Sequence, residues 1–306
     1  MDIIILSGKA KQPLTGLTAG KSIGALQLVN QPVVNFMQDA ILNQLKVSRF
    51  QVLAPSRHTA LVSTVNPNLD WLVSVQEYAY RLEKQADEVL WLRDDVLYDV
   101  DFTQLLKHAR QSVHHAMVFF SGSNPVMFYQ KHQGGTDLRC VFSASMTTHD
   151  VCQNLLSECS WHGDNFIADM AYVIDSVESY YRVSMKLLSG DLLYTVLDYH
   201  QAGNSLIKGK RVNIKPSSLK QHHAYLGDSV YVHPHSLLHN QAILCQHSYI
   251  DSYVDIRDSI IMPWVYIGSY LNIKNSVVTQ DAVIRVDTGD VIPIVDKKMV
   301  GDILSQ

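Results

Sequence analysis

The apolar run at residues 88–92 (EVLWL) ends in an acidic cluster, Asp94-Asp95. A second apolar run, residues 2–7, leads into a loop over residues 8–24 that is rich in Gly, Lys and Thr. In open α/β sheets ligands bind at the C-terminal ends of strands, so both places are candidate sites. The four cysteines, Cys140, Cys152, Cys159 and Cys245, form no CxxC pair and match no zinc spacing. They are expected to be free thiols in a reducing compartment.

These residues need elements to hold them. The strand at 2–7, with its unbroken apolar run Ile3–Leu6, implies a parallel sheet buried on both faces. Val33, Phe36, Met37, Ile41 and Leu45 have helical spacing over residues 33–46. A short strand follows at 50–54, closed by Pro55, and residues 71–86 read as a helix. After the strand at 88–92 come a helix at 102–113 and a strand at 117–120. A helix at 177–189 ends at Gly190, a C-cap residue by type. Strands alternating with helices imply an α/β domain with a mainly parallel sheet.

The composition is that of a folded, non-membrane chain. Of 306 residues, 47% are apolar and 18% charged, which excludes disorder as a description of the whole. The net charge is −4 with no long basic run, so nucleic acid is not an expected partner. No stretch reaches the ~18 apolar residues of a membrane span. Met1–Leu6 has no basic leader and reads as a first strand, not a signal peptide, so a cytoplasmic location is expected.

Past residue 200 the period changes. Leu226, Val232, Leu238, Leu244, Ile250 and Ile256 recur every six residues. Two positions before each stands Ala224, Val230, Ser236, Ala242, Ser248 or Val254, all small or branched. The phase slips by one at Ile261 and resumes at Ile267 and Ile273. A six-residue period fits the flat sides of a triangular parallel β-helix, with the aliphatic residue pointing inward. Domain limits of 1–200 and 201–306 follow.

An α/β domain followed by hexapeptide coils resembles the sugar-1-phosphate nucleotidyltransferases, mannose-1-phosphate guanylyltransferase-like members especially. Three segments carry the likeness. Residues 7–34 lie on the family opening, apolar strand, GGxGTRLxPLT, RPKxLLPV and NKP, without a gap: Gly8, Leu17-Thr18, Asn30 and Pro32 match. Leu90–Leu97 (LWLRDDVL) resembles LVLNGDVL, with Asp95 in the place of a metal-binding aspartate. Tyr172–Tyr180 (YVIDSVESY) resembles WxDIGTPEDY, with Asp175 in the place of the second.

The resemblance implies a Rossmann-like, mainly parallel sheet with helices on both faces, followed by a left-handed parallel β-helix. It implies that a sugar 1-phosphate attacks a nucleoside triphosphate, releasing pyrophosphate and forming a nucleotide sugar. Mg²⁺ held by Asp95 and Asp175 would bridge the reacting groups. Gly8 and the loop cations Lys9, Lys11 and Lys21 would hold phosphate. The chain also departs from the pattern. The family arginine falls on Pro13 and the lysine of RPK on Ile23, while Lys9 and Lys11 replace loop glycines. These losses motivate an alternative, a catalytically inactive member that binds a nucleotide sugar or regulates a partner.

A further alternative is coenzyme A-dependent acyl transfer on the coils, where His222, His223, His233, His235, His239 and His247 cluster. At turn positions such histidines are expected to be solvated or stacked between coils. Tyr249, Tyr253, Trp264, Tyr266 and Tyr270 nearby imply an aromatic face through which copies of the chain associate.

Overall fold

The computed structural model describes residues 1–8, 14–18, 22–54, 72–74, 88–131, 147–158, 160–167, 169–195 and 206–302. Two compact units divide the chain. The first comprises Met1–Gln27, Gln31–Ser176 and Leu193–Thr195; the second comprises Leu28–Asn30, Val177–Leu192 and Val196–Gln306. Among the described residues no helix is long and apolar enough to cross a membrane.

The first unit is mixed α/β. Its strands β1 (Asp2–Leu6), β2 (Arg49–Ala54), β3 (Leu72–Ser74), β4 (Glu88–Arg93), β6 (Ala116–Ser121), β7 (Asn124–Lys131) and β8 (His162–Asp164) form one sheet in the order β8-β6-β7-β4-β1-β2-β3. β7 is antiparallel to both neighbours and every other pairing is parallel. Ile4, Leu6, Val89 and Trp91 point to one face, where helix α3 (Thr148–Glu158) supplies Val151, Cys152 and Leu155. Ile3, Ile5, Leu90 and Leu92 alternate with them toward the other face and are equally buried. A sheet covered on both sides explains why β1 is apolar without alternation.

Helix α1 (Val33–Gln44) buries Val33, Val34, Phe36, Met37, Ala40 and Ile41. Helix α2 (Phe102–Gln111) is capped by Asp101, whose side chain accepts from Gln104 N at 3.0 Å. Strand β5 (Val96–Tyr98) pairs antiparallel with β9 (Ala171–Val173), apart from the main sheet. The Asp99 carboxylate, just past β5, accepts from the backbone N–H groups of Leu193, Tyr194 and Thr195 at 2.5–2.9 Å.

The sequence reading needs two corrections here. Residues 72–74, read as the start of a helix, form edge strand β3; pairing with β2 overrides a weak local preference. Residues 75–86 of that reading lie outside the described residues. β7 and α3 had no counterpart in the reading. The turn joining β6 to β7 is marked in the sequence by Gly122, which takes a positive φ of 58°.

In the second unit, strands pair in parallel one rung apart. Ala224 lies opposite Leu206 and Ala242, 18 residues away on each side, whereas Ser259 follows Ala242 by 17. The missing residue is at Asp258, where the register shifts; this accounts for the slipped phase at Ile261. A separate parallel ladder runs Tyr231–Tyr249–Tyr266. All the periodic aliphatics from Leu226 to Ile273 are buried, as are the residues two positions before the first six. Interior serines satisfy the corners: Ser236 Oγ donates to Asp251 O and accepts from Val254 N, and Ser276 N donates to Ser259 Oγ at 3.2 Å.

Corners take left-handed φ values at Ser229, His247 and Trp264, one rung apart, and again at Asn240, Asp258 and Asn275. At Gly227 the backbones approach so closely that a Cβ would lie 2.6 Å from Gln246 N, which makes glycine obligatory there. Parallel stacking stops at Ser276–Val278, onto which an antiparallel hairpin (Ala282–Arg285 and Val291–Pro293) folds. Helix α4 (Val177–Ser189) belongs to this unit, with Tyr180 buried and its OH 3.5 Å from Met262 Sδ. It closes as its spacing implies, with Gly190 at φ 77° and Asp191 N bonded to Lys186 O.

Candidate functional site

The parallel pairing of β4 with β1 sets Asp94 beside the end of β1, where Asp94 N donates to Leu6 O at 3.0 Å. The chain turns through Asp94-Asp95 into β5. Its pairing with β9 extends to a bond from Ile174 N to Asp95 O, which brings Asp175 alongside. Asp95 and Asp175, 80 residues apart in sequence, therefore line the same pocket. The other walls are Leu14, Ile23, Arg93, Asn124, Thr147, Thr148, His149, Val173 and Ile174, around a small cleft open to solvent.

The two adjacent aspartates differ sharply. Asp94 is fully buried. Ser7 Oγ donates to its Oδ2 at 2.6 Å and Thr148 Oγ1 to its Oδ1 at 2.7 Å, while Thr148 Oγ1 accepts from Gly8 N at 2.9 Å. A Cβ on Gly24 would come within 2.9 Å of Asp94 Cβ, so only glycine lets that segment close over the carboxyl. Burial, followed by the charge of Asp95, raises the Asp94 pKa to about 7 against the pull of the Ser7, Thr148 and Ser22 hydroxyls. Asp94 thus ties the ends of β1 and β4 to the start of α3.

Asp95 is an ion-pair partner. Arg93 Nε donates to its Oδ1 at 2.8 Å and Arg93 Nη2 to its Oδ2 at 2.7 Å, a bidentate fork. The guanidinium is buried, and its Nη1 donates to Pro125 O at 2.8 Å. Behind it, Arg93 N donates to Tyr98 OH, which donates to Val126 O. Burial opposes the Arg93 charge, but Asp95 outweighs it and holds the guanidinium above its ordinary range. Each Asp95 oxygen therefore accepts one bond from Arg93, and the carboxylate charge is compensated.

Thr147 and Asp150 cap α3 reciprocally: Thr147 N donates to Asp150 Oδ2 at 2.9 Å, and Asp150 N to Thr147 Oγ1 at 3.3 Å. This holds Thr147, Thr148 and His149 at the pocket wall. Such walls offer hydroxyl, amide, imidazole and carboxylate groups, a set suited to hydrogen-bonding a polyhydroxylated ligand.

Of the residues singled out in the sequence, Asp95 and Asp175 meet in one pocket and Gly8 lies beside it through Thr148. Ile23, which stands where the family lysine does, is an apolar pocket wall. Lys9, Lys11, Lys21 and Pro13 lie outside the described residues, as do Cys140 and Cys159. Cys152 and Cys245 are free and buried, and burial pushes both thiols up to about 12, so they are poor nucleophiles. Sequence reasoning missed Ser7, Gly24, Asn124, Thr148 and His149. It also missed the role of Arg93, for which the run Arg93-Asp94-Asp95 was a signal: a cation two positions from the carboxylate it neutralises.

In the second unit His235 stacks on Tyr253 (5.3 Å between ring centres) and Tyr253 on Tyr270 (5.0 Å). His247 stacks on Trp264 at 4.0 Å. Tyr253 and Tyr270 are exposed. Among the described residues no group of three or more His, Cys, Asp or Glu is arranged to hold a metal ion. Compared with known proteins, the chain matches no family model, and no curated protein matches it.

Proposed function

We propose that this chain is a sugar-1-phosphate nucleotidyltransferase-like protein whose strand-end pocket binds a nucleotide sugar or sugar phosphate without catalysing nucleotidyl transfer. The observation that carries this reading is the bidentate Arg93–Asp95 pair. Transfer at an α-phosphorus needs charge compensation supplied to the phosphates. Here the carboxylate in the expected metal position spends its charge on a guanidinium of its own chain. The likeness of the three sequence segments and the pocket shared by Asp95 and Asp175 support the ligand class. In this reading the rungs are turns of a left-handed parallel β-helix. The exposed aromatic column then associates copies of the chain, and the protein serves nucleotide-sugar metabolism in the cytoplasm.

A second reading is an active, Mg²⁺-dependent nucleotidyltransferase, favoured by Asp95 and Asp175 meeting in one pocket. The coil histidines lend little to acyl transfer, since His235 and His247 present their ring faces to stacked neighbours.

One experiment separates the two principal readings. Equilibrium dialysis with a panel of nucleotide sugars is run beside pyrophosphate release from nucleoside triphosphates and sugar 1-phosphates with Mg²⁺. Binding without release is expected. Release that Asp175→Asn abolishes would establish the enzyme and displace the binding reading; silence in both assays would remove both.

A further inference from the structure

A carboxylate awaiting a cation carries a charge that its own chain leaves uncompensated. Asp95 presents the opposite. Its two oxygens take two parallel N–H bonds from Arg93, at 2.8 and 2.7 Å. A divalent cation at Asp95 would have to approach a carboxylate already carrying a fixed positive charge.

The guanidinium has no easy way out. It is about as buried as any charged side chain among the described residues, with 1% of its surface exposed. Its third bond goes to Pro125 O, and its backbone N–H is held by Tyr98, itself anchored on Val126. Moving it would leave a buried charge without a partner, which is among the costlier changes a protein can make. An arginine also cannot be deprotonated to release the carboxylate. Adjacent Asp94 is no substitute, because it is fully buried behind Ser7 and Thr148.

We propose that Arg93 fills the place of a divalent cation at Asp95, so that the Asp95–Asp175 pocket holds no metal ion and takes its ligand without one. The three guanidinium bonds engage three of the five N–H groups of an arginine, and the side chain lines the pocket. This rests on the binding reading of the pocket given above, and the tests separate the two.

Mn²⁺ is titrated into the full chain and followed by electron paramagnetic resonance, with no nucleotide present. The wild type is expected to show no site tighter than about 1 mM, the weak end of protein oxygen sites. A tighter site that Asp95→Asn or Asp175→Asn abolishes would overturn the proposal. Arg93→Met releases Asp95 and is expected to raise Mn²⁺ affinity at least ~10-fold by removing the compensating charge, with Asp95→Asn in the same chain reversing it. A folded Arg93→Met no better than wild type would also overturn it. If that variant does not fold, the wild-type titration decides alone. UDP-glucose and GDP-mannose are then dialysed against wild type in EDTA and in Mg²⁺. Equal affinity in both is expected; a requirement for Mg²⁺ overturns the proposal. No binding in either buffer defeats the binding reading, while the Mn²⁺ titration still judges the role of Arg93.

Discussion

Inside the rung stack, buried polar side chains are serines, and their partners lie close in sequence: Ser276 bonds to Ser259, 17 residues earlier, and Ser236 to Asp251, 15 later. Inside the pocket wall, the buried polar groups are Arg93, Asp94 and Asp95, and Asp94 takes its bonds from Ser7 and Thr148, 87 and 54 residues away. At Ser236, Ser259 and Ser276 the stack uses a local solution, a small hydroxyl that neither carries charge nor needs a distant partner. The pocket assembles charges that are tolerable in the interior only when every element delivers its bond. Repetition gives the stack a uniform core, whereas the pocket concentrates its energetics in a few irreplaceable contacts.

That contrast is broken most directly at Asp95. Asp95→Ala leaves Arg93 buried without its partner and is expected to cost ~3–5 kcal/mol in urea unfolding. A carboxylate held in repulsion for a metal would behave oppositely, and a gain in stability would remove the ion pair as the organising contact.

Asp94 sharpens it next. Its folded pKa, about 7, stands above the ordinary carboxylate value, so the native state holds a proton that the unfolded chain has already released. Its stabilising contribution is complete below the unfolded pKa near ~4 and is lost as pH rises through 7, on the order of 3–4 kcal/mol in total. Other carboxylates, such as Glu88 and Asp255, are shifted downward and act in the opposite sense. The measurement is therefore the difference between wild type and Asp94→Asn. The wild type is expected to lose stability relative to the variant between pH 4 and 7; parallel curves would show an ordinary carboxylate.

In the stack, Ile250→Ala empties an interior position and is expected to cost about 3 kcal/mol. Because the rungs share one uniform core, Ile256→Ala and Ile267→Ala should cost similar amounts. A spread as wide as that between Asp95→Ala and a neighbouring pocket substitution would contradict the repetition. The smallest effect belongs to the surface column: Tyr253→Ala loses its stacking on His235 and Tyr270 and is expected to cost ~0.5–1.5 kcal/mol by thermal melting. A larger loss, dependent on protein concentration, would point to a face shared between copies.

The two regions also differed in how much the sequence disclosed. Six-residue spacing, with one slip at Ile261, marked nine buried aliphatics from Leu226 to Ile273, although Ile243, Ile260 and Val265 are buried outside it. The run Asp2–Leu6 announced a two-sided buried strand, and Gly190 announced the end of α4. Asp94-Asp95 was legible as an acidic cluster at a strand end, but its association with Asp175 was legible only through resemblance, in two matching segments. Edge strand β3 and antiparallel β7 were not legible, since short apolar runs owe their conformation to the partner they pair with.

The sequence by itself thus determined the alternating architecture of the first unit, the repeat of the second and the identity of the acidic residues at strand ends. Tertiary structure decided what those residues are for. Only the pairing of β5 with β9 brings Asp175 to Asp95, and only the burial of Arg93 turns Asp95 from an open ligand into a closed ion pair. The physical reason is that periodicity is written in neighbouring residues, whereas the charge state and availability of a carboxylate depend on dielectric surroundings and on partners that folding alone assembles.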